Sequence, residues 1–418
     1  MKKLYTGFLW LSLVYANAQT LTLNQAISKT LLHHPNIKTF MLKLQQAEYG
    51  HDVEYSAYLP QIDASATYTP TQTYTLPQNG SFQTKDDNGW NAQVTLHQKI
   101  WDFSKTSALV EASLKDIKIS KLSLQESKAL LAYKVRSLYE LLVVQQEAIK
   151  VRKQDLKAKK AFYKQALALV KQGLKTHADA SRFQSSVYNA QDALAQAEAS
   201  FQKAKISLSL YMGVTLDDNL KLQKSVLKKH KRLNKHKEEI AVITHNHQLK
   251  MDSLSIQKQK LLHKSIQATQ FGSIDLVASH AKIDTLSEYN SDYVGINYNV
   301  PLYTGGRQSA QIQQAKIGYQ IAQEQKDSDT IALKEELFGI FVDIRRYGKT
   351  IQAKKAQILS ARKNLKLISA RYKEGLATYI EVLDSTTQLL SAKLGLLEAY
   401  YSRSLAFDRI EYLKGKIK

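Results

Sequence analysis

The chain has 418 residues, with 59 Lys and Arg against 37 Asp and Glu and a formal charge of +22. It has no cysteine, which excludes disulfide bracing and any lipid anchor attached through a thiol. So large a positive surplus would suit nucleic acid, anionic lipid or a polyanionic surface, and the compartment decides among them.

Residues 1–18 carry Lys2 and Lys3, an apolar run from Phe8 to Val14, and the small-residue exit Ala16-Asn17-Ala18. These are the three parts of a secretory signal, so residues 1–18 are expected to be a signal peptide and Gln19 the mature start. Export removes nucleic acid as a partner. Beyond the leader no run approaches the ~20 apolar residues of a spanning helix. If the chain crosses a membrane, it must do so as strands of a closed barrel.

The pattern from Leu21 to Tyr58 is helical, with Pro35 able to begin a new helix but not to continue an old one. Pro60 marks a change of period: Ile62–Tyr68 and Trp90–His97 alternate and are rich in β-formers, giving a strand pair within 61–102. The polar stretch between them, with Gly, Pro and Asn, reads as a loop. From Ser104 to Gln172 the chain is nearly uninterrupted helix former, roughly 100 Å at 1.5 Å per residue. Ile117, Leu124, Leu131 and Leu138 recur every seven residues, as do Val135, Leu142, Ile149 and Leu156, which is the spacing of a coiled-coil seam. Ala190, Ala193, Ala195, Ala197 and Ala199 then permit close helix approach.

The second half repeats the first. Gly173 and Gly375, Leu174 and Leu376, and Asp179 and Glu381 each stand 202 positions apart. A repeat of this length means a fold built twice. Residues 19–220 form one unit, with a helical bend near 173. Residues 238–418 form the other, with a strand pair in 273–304, a bend near 375, and Leu383, Leu390 and Leu397 again seven apart. The basic run at 221–237 between them reads as a solvated linker. Four strands are too few to close a barrel, so membrane strands would require several copies of the chain.

No phosphate loop, G-x-S-x-G or H-E-x-x-H is present, so neither an enzyme nor a cofactor is expected. His230, His236, His245, His247 and His263 gather between the halves and leave a metal-binding reading open, although His245 and His247 diverge on a helix. An exported coiled-coil scaffold or adhesin would explain the heptads, but not the strands or the acids behind each bend.

At the second strand–helix junction the chain reads Val300-Pro301-Leu302-Tyr303-Thr304-Gly305-Gly306-Arg307, and Pro301 suits a strand end while Gly305 and Gly306 suit an abrupt turn. Its counterpart has Phe103-Ser104, so a less sharp turn is expected there. Together with Arg371-Tyr372-Lys373-Glu374-Gly375 and Glu381-Val382-Leu383-Asp384-Ser385-Thr386-Thr387, this order and duplication resembles the TolC family of outer-membrane efflux ducts, from about Leu21 to the C-terminus. The resemblance implies a mainly α fold with a membrane β-barrel portion: long antiparallel coiled-coil helices, four strands per protomer, an internal twofold repeat and a trimeric α/β barrel in outer-membrane lipid. It implies as partners a periplasmic adaptor and an inner-membrane RND, ABC or similar pump, with cargo left open among drugs, metal cations and an exported polypeptide. It places a pore gate at Asp179, Tyr372, Glu381 and Asp384, and adaptor-docking tips at Gly173, Leu174, Gly375 and Leu376. A gate-bracing arginine of relatives falls on Ala377. Three copies of Glu381 and Asp384 about a threefold axis would raise one another's pKa and attract cations; the same acids also suit the positive end of a helix.

Overall fold

The computed structural model describes residues 21–78, 80–217, 220, 222–223 and 233–416. The expected signal peptide at 1–18 and most of the basic run at 221–237 lie outside the described residues. Each half supplies the same six elements. The first gives α1 (Leu23–His33), α2 (Pro35–Ser56), β1 (Gln61–Gln78), β2 (Ser81–Trp101), α3 (Lys105–Lys171) and α4 (His177–Met212). The second gives α5 (Lys235–His245), α6 (His247–Ala268), β3 (Ser273–Asp284), β4 (Glu288–Asn299), α7 (Arg307–Lys373) and α8 (Tyr379–Leu413). α1 and α5 both have 11 residues, α2 and α6 both 22, and α3 and α7 both 67. Pro35 opens α2, as its missing N–H allows.

The chain divides into two compact units. One comprises residues 38–126 and 245–333 and contains all four strands. They form an antiparallel meander in the order β1-β2-β3-β4. The register fixes two faces. Ile62 opposes Leu96, which opposes Ala278, which opposes Val294; Ala64, Val94 and the pair Leu276–Ile296 share that face. Ile62 on it is 67% accessible, Val294 77% and Ile296 72%, Leu96, Leu276 and Ala278 are half-buried, and towards the β3–β4 turn the same face carries the pairs His280–Asp292 and Lys282–Glu288. The other face carries Asp63, Ser65, Gln93, Thr95, Ser279 and Asn297.

Two expectations are corrected in this unit. The polar stretch between the first strands is not a loop: β1 and β2 stay paired from Gln72↔Asp87 to Gln78↔Ser81. Its alternating Thr and Tyr favour strand, and the register shift between Thr69 and Gln72 accommodates Pro70. Nor does the first strand–helix junction turn less sharply than the second. Phe103 (φ 54°) and Ser104 (φ 76°) take the same left-handed pair of conformations as Gly305 (φ 61°) and Gly306 (φ 82°). Surroundings hold the non-glycine pair in place. The Phe103 ring lies 5.3 Å from that of Phe271 and 6.2 Å from Trp101. Buried Asp102 accepts hydrogen bonds from the Thr106 amide (2.9 Å) and from its hydroxyl. The Thr304 hydroxyl plays the equivalent part at the second junction, accepting from the Gln308 amide at 3.3 Å. Pro301 lies just past the end of β4, and Leu302 and Tyr303 beside it are 92% and 90% exposed.

The other unit comprises residues 21–37, 127–244 and 334–416 of the described chain. Its larger core joins Ala26 and Ile27 of α1 to Val135, Tyr139 and Leu142 of α3 and to Leu208 and Met212 of α4. Within the basic run Leu222 is not solvated: it is buried in this core and forms a parallel bridge with Leu21. The Tyr139 hydroxyl ties both segments, donating to the Leu21 carbonyl (2.7 Å) and accepting from the Gln223 amide (2.9 Å). The smaller core lies where α3 meets α4 and α7 meets α8.

Candidate functional site: the paired helical tips

Each tip is written by one short motif, Gly-Leu-x-Thr-x-x-Asp/Glu. Gly173 (φ 73°) and Gly375 (φ 76°) adopt the left-handed conformation that ends a helix. The Leu174 amide returns to the Leu169 carbonyl (2.9 Å) and the Gly173 amide to that of Val170 (3.0 Å); Leu376 and Gly375 do the same with Arg371 (2.8 Å) and Tyr372 (3.1 Å). Thr176 and Thr378 then start α4 and α8 as N-caps of complete capping boxes.

Two of the three expected gate acids, Asp179 and Glu381, are the far halves of those boxes. Asp179 Oδ2 accepts from the Thr176 amide (3.2 Å) and hydroxyl (3.0 Å). Glu381 Oε2 accepts from the Thr378 amide (2.7 Å) and hydroxyl (2.9 Å). Within the protomer the Glu381 carboxyl is accordingly held below its ordinary range, first by the Thr378 backbone bond and then by the Thr378 hydroxyl. Asp384 is exposed one turn further on and accepts from Gln388 Nε2 at 2.7 Å. The Thr-x-x-acid spacing at Thr176 and Thr378 is the sequence signal for this capping role.

Tyr372 stands apart from the acids. Its ring is fully buried among Ala166, Leu169, Ala180, Phe183, Ala377 and Val382, and its hydroxyl has no partner. Burial, and then the charge of Asp179, push that hydroxyl up to about 12. Phe183 is the hub, edge-on to Tyr372 at 5.4 Å and to Tyr379 at 6.4 Å, and stacked on Phe162 at 6.2 Å. The expected docking residues Leu174 and Leu376 stand out from the tips, 57% and 69% exposed.

The sequence reading left open what braces the second tip with Ala377 in place of an arginine. Lys175, from the first tip, supplies a cation there. Its Nζ donates to the carbonyls of Gly375 (3.2 Å) and Ala377 (3.0 Å) and sits 5.6 Å from the Tyr372 ring centroid. Arg371 adds a bond to the Leu376 carbonyl at 3.2 Å and lies 4.0 Å from Glu381. One motif thus makes two hairpin turns, and one lysine sews them together.

Of the histidines considered for metal, His247 is buried and lies 3.0 Å from Glu126 Oε2, while His230 falls outside the described residues. Among the described residues no group of three or more His, Asp or Glu is arranged to hold a metal ion, and no helix is long and apolar enough to cross a membrane.

A family model described as outer membrane efflux protein matches residues 26–214 and 241–416. The outer membrane protein TolC of Salmonella enteritidis is 31% identical over 131 residues, 31% of this chain and 27% of that protein. The TolC of Escherichia coli strain K12 is 29% identical over 163 residues, 34% and 33% of the two chains. The matched stretches therefore span a third or less of these relatives' length. Among solved structures, the outer membrane protein VceC of Vibrio cholerae superposes with a TM-score of 0.82 over 95% of this chain and 97% of its own, at 17% identity.

Proposed function

The chain belongs to the outer membrane efflux protein family, and from that premise we propose that three copies of it form an exit duct through the outer membrane. The observation that carries this reading is the four-stranded meander, with an exposed apolar band on one face near the helices, a mainly polar opposite face there, and β1 and β4 at its outer edges. In lipid an open edge leaves backbone groups unsatisfied at several kcal/mol each, so the sheet must close on further copies. Three copies give twelve strands, apolar side out and polar side lining a lumen.

The long helices α3 and α7 would continue the lumen into the periplasm, ending at the paired tips. Exposed Leu174 and Leu376, beside Gly173 and Gly375, would be the contacts for a periplasmic adaptor that couples the duct to an inner-membrane pump. Asp179, Glu381 and Asp384 would gather about the threefold axis as an anionic gate. The capping bonds at Glu381 support this, since they favour its ionised form. Tyr372 would act from behind, keeping the tips packed.

The purified protein in detergent should run as a trimer and conduct in planar bilayers with preference for cations. Glu381→Gln/Asp384→Asn should reduce that preference and relieve block by multivalent cations, glutamine being able to keep the capping box. A monomer without conductance would overturn the duct. A selectivity unchanged in the double variant would overturn the gate alone.

A further inference from the structure

Deep in the helical unit, far in sequence from the tips, two acids are buried side by side. Glu140 of α3 is 1% exposed and Asp408 of α8 is 7% exposed. Each uses one oxygen conventionally: Ser404 Oγ donates to Glu140 Oε1 at 2.8 Å, and Arg136 Nη1 donates to Asp408 Oδ1 at 2.8 Å. The remaining oxygens, Glu140 Oε2 and Asp408 Oδ2, are both buried and without a donor. Ser404 and Asp408 are four residues apart on α8, as are Arg136 and Glu140 on α3, so the two cross-bonds set the carboxyl groups beside each other.

As two carboxylates this arrangement is untenable. One arginine would face two buried negative charges, and two acceptor oxygens would confront each other with nothing between them. We propose that Glu140 and Asp408 hold one proton in common between Oε2 and Oδ2, forming a buried proton-binding site that fastens α8 to α3. Glu140 carries the proton, donates to Asp408 and accepts from Ser404. Asp408 stays ionised against Arg136, and the cluster is neutral.

The surroundings agree. Burial, followed by the charge of Asp408, pushes the Glu140 carboxyl up to about 9, and burial also raises Asp408 despite Arg136. Tyr401 on α8 is pushed up to about 12 by burial and by Glu140. The other charged or titratable groups nearby are Tyr133 on α3, Arg409 and Glu411 on α8, and Glu336 on α7. Arg409 is committed to Glu336 at 2.5 Å and Glu411 to Lys414, so Arg136 is the cation that serves the pair. The sign of the linkage follows from the raised value. The folded chain binds this proton more tightly than the unfolded one, so the contribution is complete below the ordinary glutamate range. It declines as pH rises and is gone above about 9.

Difference infrared spectroscopy of the full-length protein in detergent tests this. At pH 8 a protonated-carboxyl stretch should be present, and it should titrate away only at more alkaline pH. Asp252, whose carboxyl burial raises to about 6, is then ionised and does not contribute. Glu140→Gln should lose the band and flatten the decline of thermal stability toward alkaline pH. Asp408→Asn separates sharing from simple burial: with Arg136 released, Glu140 should ionise and the band should again vanish. A wild-type protein without the band at pH 8, or a band that survives either substitution, overturns the proposal. The wild-type titration decides even where a variant does not fold.

Discussion

The sharpest consequence of the tip geometry concerns Lys175. In the proposed duct, opening by drawing one hairpin tip past the other would first require Lys175 to give up its bonds to the carbonyls of Gly375 and Ala377 and its place over the Tyr372 ring. A hydrogen bond from a charged donor contributes about 1.5–3 kcal/mol when buried, and a cation over an aromatic face ~0.5–1 kcal/mol. Lys175 is only half-buried, so water competes for both. After that discount the three contacts favour the joined tips by ~2 kcal/mol. Lys175→Met keeps the aliphatic stem and removes the charge. At 1.4 kcal/mol per tenfold, it should raise the open-to-closed ratio about 30-fold. Single-channel recording of the purified protein in planar bilayers reads this directly as occupancy of the high-conductance level, with Lys175→Arg expected to behave more nearly like wild type. Channels that insert normally and show unchanged open occupancy in Lys175→Met would refute the idea that this lysine restrains the tips.

Two further outcomes follow from local geometry. Ser104→Gly should raise thermal stability by roughly 1 kcal/mol, because serine at φ 76° has a Cβ penalty that glycine lacks; a lower melting temperature would mean that the Ser104 side chain matters more than the backbone. Tyr139→Phe leaves the Leu21 carbonyl and the Gln223 amide without their hydroxyl partner and should cost about 2–3 kcal/mol. The loss should show as faster hydrogen exchange in the first turn of α1, and protection equal to wild type would dismiss the anchoring role.

How much of this was legible in the chain varies with the range of the interaction. The helix breaks at Gly173 and Gly375 and the alternation at Ile62–Tyr68 and Trp90–His97 are local signals, and helix ends and strands stand at those places. The length of β1 and β2 was missed because Gly, Pro and Asn were read as loop markers, while the Thr and Tyr alternation around them was strong enough to keep the ladder going. The first junction misled for a related reason: without glycine, a left-handed pair is ruled out locally, yet Asp102 and the Phe271 ring hold it from outside. Lys175 was invisible because its partners are backbone carbonyls about 200 positions away, which leave no side-chain signature. Likewise Tyr372 lies beside an acidic motif in sequence but packs on Phe183 of the other hairpin.

The unequal lengths of the two strand pairs have a consequence for whatever meets the protein from outside the cell. β2 keeps its β3 partner only as far as Trp90↔Asp284, so about nine residues of β2, roughly 30 Å along the strand, continue with β1 alone. In a barrel of three chains the outer rim would be crenellated, three tall ribbons alternating with three low turns. In that arrangement the far end of the β1–β2 ribbon would be the place for a surface label, and antibodies raised against whole cells should recognise it.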